Sequence, residues 1–288
     1  MTTRTLPVSA RRPGAPRRPG RRGLLVWQLA LILLVIAAIL AAVFILRSRH
    51  ARAGANAANA ANAAPTTTAS AAGTVTMAGD GGLPLMPVKP TPKEITFDGC
   101  PPVGDGGDAE LNRLKNRVDE GNWVPVRFDD IAKLPWPRSV ERAPRRRWSA
   151  ADRRAVGRFE GIPVSVEGFV AGAKVEGPET PNCHGAASKY RDWHVWLAPA
   201  PGKDRRGSIV VETTPRVRTQ HPEWRISALR VAAKRGERVR ISGWLMLDPE
   251  HPDQVGRTRG TIWEIHPILR IDVRRGSAWV PLDGARAR

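Results

Sequence analysis

Residues that would announce a reaction are scarce in this chain. It has two cysteines, Cys100 and Cys183, and no Cys-x-x-Cys or His-x-x-x-His spacing, so ligand spacing alone defines no metal site. A phosphate-binding glycine loop, a nucleophile elbow, an HExxH helix and a deaminase signature are all missing, which argues against an enzyme of those motif classes. One tyrosine stands against ten tryptophans, and residues 1–52 hold no acidic side chain. Long charge-free hydrophobic runs are absent except at residues 24–46.

That run is organised for a membrane. As a helix it is about 35 Å long, enough to cross a hydrocarbon core of about 30 Å. It exceeds the roughly 7–15 apolar residues of a cleaved signal, although Ala51-Arg52-Ala53 offers a cleavage pattern and Arg11-Arg12 a weak twin-arginine signal. Seven arginines precede the run and Arg47, Arg49 and Arg52 follow it. The positive-inside bias then predicts a single-pass protein of the plasma (inner) membrane, N-terminus cytoplasmic and the remainder outside. Residues 1–23 read as a disordered basic tail attracted to anionic lipid headgroups, and residues 47–92 as a disordered Ala/Asn/Pro linker. The net charge of +19 owes more than half its excess to the ten arginines of residues 1–52. From Lys93 onward there are 35 basic and 26 acidic side chains, which suits a solvated basic surface better than a polyanion site.

Residues 161–275 predict a mainly β unit. Segments 163–170, 192–198, 208–214, 237–248 and 261–273 alternate with period two, and residues 222–235 form an amphipathic helix closed by Gly236. Three strands, a helix and two strands is the order of a five-stranded OB-fold-like Greek-key barrel. Residues 93–160 form a small α/coil preface expected to pack on the barrel. Asp108 caps one short helix, a strand is expected near 123–128, and Ser149 with Asp152 opens a second helix. Residues 276–288 are left as a C-terminal tail. The run Arg145-Arg146-Arg147-Trp148 offers phosphate contacts, but a solvated loop with the ring tucked on the barrel explains it as well.

Four stretches, LNRLKNR at 111–117, VETTPR at 211–216, SGWLMLDPEHP at 242–252 and RGTIWEIHP at 259–267, resemble a family of bacterial exported or membrane-anchored proteins with an OB-fold-like barrel and no established activity. The resemblance covers roughly the last two thirds of the chain. It implies a fold and an address outside the cytoplasm, and transfers no catalytic residues.

The strand registers turn His194, Glu212, Glu264 and His266 away from the barrel interior, where they can share one polar patch. Imidazoles beside carboxylates suit a divalent metal or an acid–base pair, and equally an exposed face of His–Glu and Glu–Arg pairs using Arg216 or Arg259. Trp196, Trp244 and Phe169 fall on the same outward side, where exposed rings stack on sugars or bases. Segment 248–253 is acidic but lacks EF-hand spacing and reads as a turn. Cys100 and Cys183, both outside the membrane in this topology, are candidates for one disulfide. The leading expectation is a tethered binding or interaction module for a saccharide, a nucleic acid or an envelope protein. The alternatives are a metal-assisted, phosphodiesterase-like hydrolase using the outward patch, or an envelope scaffold. No cofactor is required beyond that divalent ion.

Overall fold

The computed structural model describes residues 82–84 and 89–282, and all of them belong to one compact unit. The basic tail, the expected membrane span and most of the linker lie outside the described residues. Among the described residues no helix is long and apolar enough to cross a membrane. The described end of the linker is packed: Leu83 joins the hydrophobic core, and the Lys89 ammonium donates to the carbonyls of Gly157 and Glu160.

Local signals explain the first elements. Asp108 accepts from the Glu110 and Leu111 amides and starts helix α1 (Ala109–Lys115). Strand β1 (Val124–Val126) and helix α2 (Phe128–Ala132) follow. Ser149 and Asp152 cap each other's backbone at the start of α3 (Ala150–Gly157). The barrel then begins with β2 (Pro163–Val175), which runs five residues past the expected end, and continues with β3 (Trp193–Ala198) and β4 (Ile209–Thr213). A short helix α4 (Pro215–Arg218) and helix α5 (Ile226–Arg235) connect to β5 (Arg238–Leu247) and β6 (Trp263–Arg275). The connecting helix starts at Ile226 rather than at Pro222, because Arg225 still has extended backbone; Gly236 ends it at φ +59° as expected. The tail also contributes structure, since β7 (Ala278–Pro281) pairs with the end of β6.

Strands β2, β3, β4, β6 and β5 are hydrogen-bonded in that order, and β5 pairs with β2 to close the ring. Only the β4–β6 pairing within this ring is parallel. One parity on each strand fills the interior: Val164 and Val166, Val195 and Leu197, Ile209 and Val211, Val239 and Ile241, Ile265 and Ile271 are all buried. The preface does not fold apart from this. Ile131, Leu134, Val140, Trp148 and Val156 belong to the same hydrophobic cluster, and β1 lies parallel to the first half of β2.

Register shifts flank Gly243 on β5, opposite the cis His266–Pro267 bond of β6. A Cβ at Gly243 would meet the Pro267 carbonyl oxygen head-on and lie 2.6 Å from Ile265 Cγ2. Since a barrel backbone cannot easily retreat, Gly243→Ala is expected to cost about 2–3 kcal/mol in urea unfolding. A loss below about 0.5 kcal/mol would show that β6 gives way there.

Candidate functional site

The site is built on the outer face of three adjacent strands. His194 of β3 pairs directly with Glu212 of β4, while Val210 and Val211 of β4 pair with Glu264 and Ile265 of β6. Alternation puts His194, Glu212, Glu264 and His266 on one side of this sheet, and the side chains meet. His194 Nδ1 lies 2.5 Å from Glu212 Oε1 and 2.9 Å from Glu176 Oε1. His266 Nδ1 lies 3.5 Å from Glu212 Oε2 and 3.7 Å from Glu264 Oε2. Glu212 therefore stands between the two imidazoles.

The expected exposed patch is, however, covered. His194, Glu212, Glu264 and His266 are all buried, His266 completely. The loop after β2 brings Glu176, Glu179 and Asp192, the loop after β5 brings Asp248, His251 and Arg259, and α1 of the preface brings Lys115. Together with His194, Trp196 and Glu212 these loops and α1 leave a polar cavity of about 390 Å³. Arg259 donates to Glu264 at 2.5 Å and lies 3.5 Å from Asp248, the ion pair anticipated for this face. The segment read as a turn is one: Asp248 accepts from the Glu250 amide and from His251 Nδ1. Lys115 is buried 3.9 Å from Glu250.

Charge in this space is tightly coupled. Burial works against the Glu212 carboxylate, but the neighbouring His194, His266 and Lys115 outweigh it and hold its pKa well below the usual range. Burial would also discharge the imidazoles. Glu212 and Glu176 nevertheless raise His194 to about 9, and Asp192, Glu264 and Glu212 raise His266 to about 10. For Glu179, burial and the charges of Asp192 and Glu212 act together and push it up to about 8. Burial opposes the charge on Lys115 too, yet Asp248, Glu179, Glu212 and Glu264 leave its pKa raised. Asp248 ends lowered, its burial offset by His251, Lys115 and Arg259.

Hydrogen bonding is incomplete at the bottom of the cluster. Asp192 is fully buried and accepts from Asn182 Nδ2 through Oδ1 at 2.8 Å. Its Oδ2 has no hydrogen-bond partner among the described residues, and neither do both ring nitrogens of His266, His194 Nε2 and Glu179 Oε2. Buried polar groups are rarely left this way.

Other expected ligand residues are used elsewhere. Trp196 lines the cavity, its ring 4.3 Å from that of His194 and beneath the Arg205 guanidinium at 3.8 Å. Trp244 is not an exposed platform: Arg117 stacks on it at 3.4 Å, Trp123 meets it edge-on, and its indole N–H donates to the Asp119 carbonyl. Arg216 is fully buried, and backbone carbonyls and asparagine side chains take up its guanidinium donors. The arginine run fares likewise. Arg145 is buried in a two-pronged pair with Glu160, and the Trp148 indole donates to the Ala143 carbonyl. Cys100 and Cys183 form a disulfide.

Sequence reasoning missed Asp192, Glu176, Glu179 and Lys115. Asp192 had a usable signal, since it continues the parity of His194 and Trp196. Lys115 and the two glutamates had none, because only the tertiary fold brings them to the sheet. Three wider depressions among the described residues, of about 610, 540 and 860 Å³, lie elsewhere on the surface and gather no comparable set of histidines and carboxylates.

Comparison with known proteins returns no matching family model, no matching curated protein and no matching solved structure. The resemblance drawn from the four stretches thus has no support beyond the closed barrel itself.

Proposed function

We propose that the chain is a membrane-tethered, extracytoplasmic binding module of the OB type, and that its ligand is a saccharide. Strand order and the helix between the third and fourth barrel strands support the OB reading. The charge-free run at 24–46 and the arginines before it support the tether and its orientation.

The location of the cavity carries the proposal. OB barrels bind oligonucleotides and oligosaccharides on the face of strands 2 and 3, between the loops joining strands 1 to 2 and 4 to 5. Here those elements are β3, β4 and the loops after β2 and β5, which supply all of the cavity wall except Lys115, Lys174 and Arg205. The lining suits sugar hydroxyls. The carboxylates of Glu176, Glu212 and Asp248 accept hydroxyl hydrogen bonds, Lys115, Lys174, Arg205 and Arg259 donate them, and the buried Trp196 ring under Arg205 braces the wall.

Titration of the full chain with neutral envelope oligosaccharides, followed by tryptophan quenching, tests this. Saturable binding that changes little with salt and weakens about fivefold to tenfold in Glu176→Gln is expected. Steep salt-dependent binding of a single-stranded oligonucleotide, without sugar binding, would refute it.

A further inference from the structure

We propose that Asp192, Glu212 and His266 hold one divalent first-row transition ion, zinc or manganese, behind the cavity wall that Glu212 lines. The three offer donor atoms that all lie within 4.8 Å of one another, and all three residues are buried. Two of these donors are unpartnered and close: His266 Nε2 and Asp192 Oδ2 are 3.5 Å apart, too far for a sound hydrogen bond. That separation has a simple reading. Donors about 2.1 Å from one ion and about 110° apart stand about 3.4 Å from each other.

The surroundings match how such ligands are held. Asn182 fixes Asp192 through Oδ1 and leaves Oδ2 free for the ion. The opposite ring nitrogen of His266, Nδ1, lies 3.7 Å from Glu264 Oε2, a carboxylate outside the triad of the kind that orients a ligating imidazole. An imidazole with carboxylates favours zinc or manganese over calcium or magnesium, which take oxygen donors, and the lack of thiolate disfavours copper(I). Of the three, only Glu212 lines the cavity, while Asp192 and His266 are fully buried behind it, so Glu212 links the ion to the ligand space. Resting on the binding-module reading above, the ion would fix the Glu212 carboxylate that meets ligand hydroxyls there.

The test uses the full chain in mild detergent, dialysed against zinc or manganese and then against metal-free buffer. Metal analysis should show one retained ion per chain, and Asp192→Asn and His266→Gln should each weaken its binding at least tenfold. Glu250→Gln, in the separate Asp248–Glu250–His251 group, should leave it unchanged. Cobalt substitution of the unmutated chain should give the visible bands of nitrogen and oxygen coordination, a readout that does not depend on any variant folding. A wild-type chain that retains no ion, or Asp192→Asn binding as tightly as wild type, would overturn the proposal. Sugar titrations on the same samples separate the two ideas. Sugar binding without an ion sinks only the metal site, whereas a bound ion without sugar binding sinks only the saccharide reading.

Discussion

Replacing Arg216 with methionine is expected to lower the unfolding free energy by about 3–5 kcal/mol, read as a fall in urea midpoint at constant slope. Arg216 sits on α4, just after β4, with its guanidinium inside the joint between barrel and preface. Nε donates to the Ile95 carbonyl, Nη1 to Asn116 Oδ1, Pro181 O and Asn182 Oδ1, and Nη2 to the carbonyls of Cys100 and Pro101. Burial pushes its pKa down while Asp192 pulls it up, so the desolvated charge depends on this ring of acceptors. A methionine fills much of the volume but abandons the acceptors, each costing about 1–3 kcal/mol if water cannot reach it. Partial hydration explains why the expected total is well below their sum. Arg216→Lys keeps the charge but not the planar fork, and should recover less than half of the loss. A change below about 1 kcal/mol for the methionine variant would show that the joint is held by its apolar contacts alone.

The same residue shows where sequence reasoning reaches its limit. Period-two alternation is a local property, so the barrel strands, their inward valines and isoleucines, and the common face of His194, Glu212, Glu264 and His266 could all be read from the chain. Capping at Asp108 and Ser149 and the stop at Gly236 are equally local. Parity, however, tells which side of a sheet a residue is on and not what covers that side. Trp244 has the expected orientation yet is roofed by Arg117 and Trp123, which arrive from more than a hundred residues upstream. The polar patch is buried for the same reason, by loops and by α1. Strand β1 falls within the segment expected near 123–128, whereas β7 is too short to alternate convincingly; both form by adding to an edge already present. The irregular pairing around Gly243 also follows from a contact with Pro267 that no local pattern reveals.

Removing the Cys100–Cys183 bridge should cost about 3–4 kcal/mol while leaving the site in place. The two cysteines are 83 residues apart, so the bridge closes a long loop and restricts the unfolded chain. Loop entropy alone predicts about 4–5 kcal/mol, and measured bridges usually give somewhat less, about 2–4. This contribution belongs to the unfolded ensemble. In the folded chain the neighbouring segments are held independently, since Arg216 donates to the carbonyls of Cys100 and Pro101 on one side and to Pro181 and Asn182 on the other. Asn116 adds a bond from Nδ2 to the Pro181 carbonyl at 2.8 Å. Asn182 should therefore keep its hold on Asp192 after reduction. The expected result for Cys100→Ser with Cys183→Ser is a much lower urea midpoint together with metal and sugar affinities within about twofold of wild type, measured without denaturant. If affinity collapses while the far-ultraviolet spectrum stays native, the bridge instead holds the loop after β2 against the sheet. The positioning of Asp192 would then depend on the disulfide as well as on Asn182, and the joint around Arg216 would be too weak to fix the site by itself.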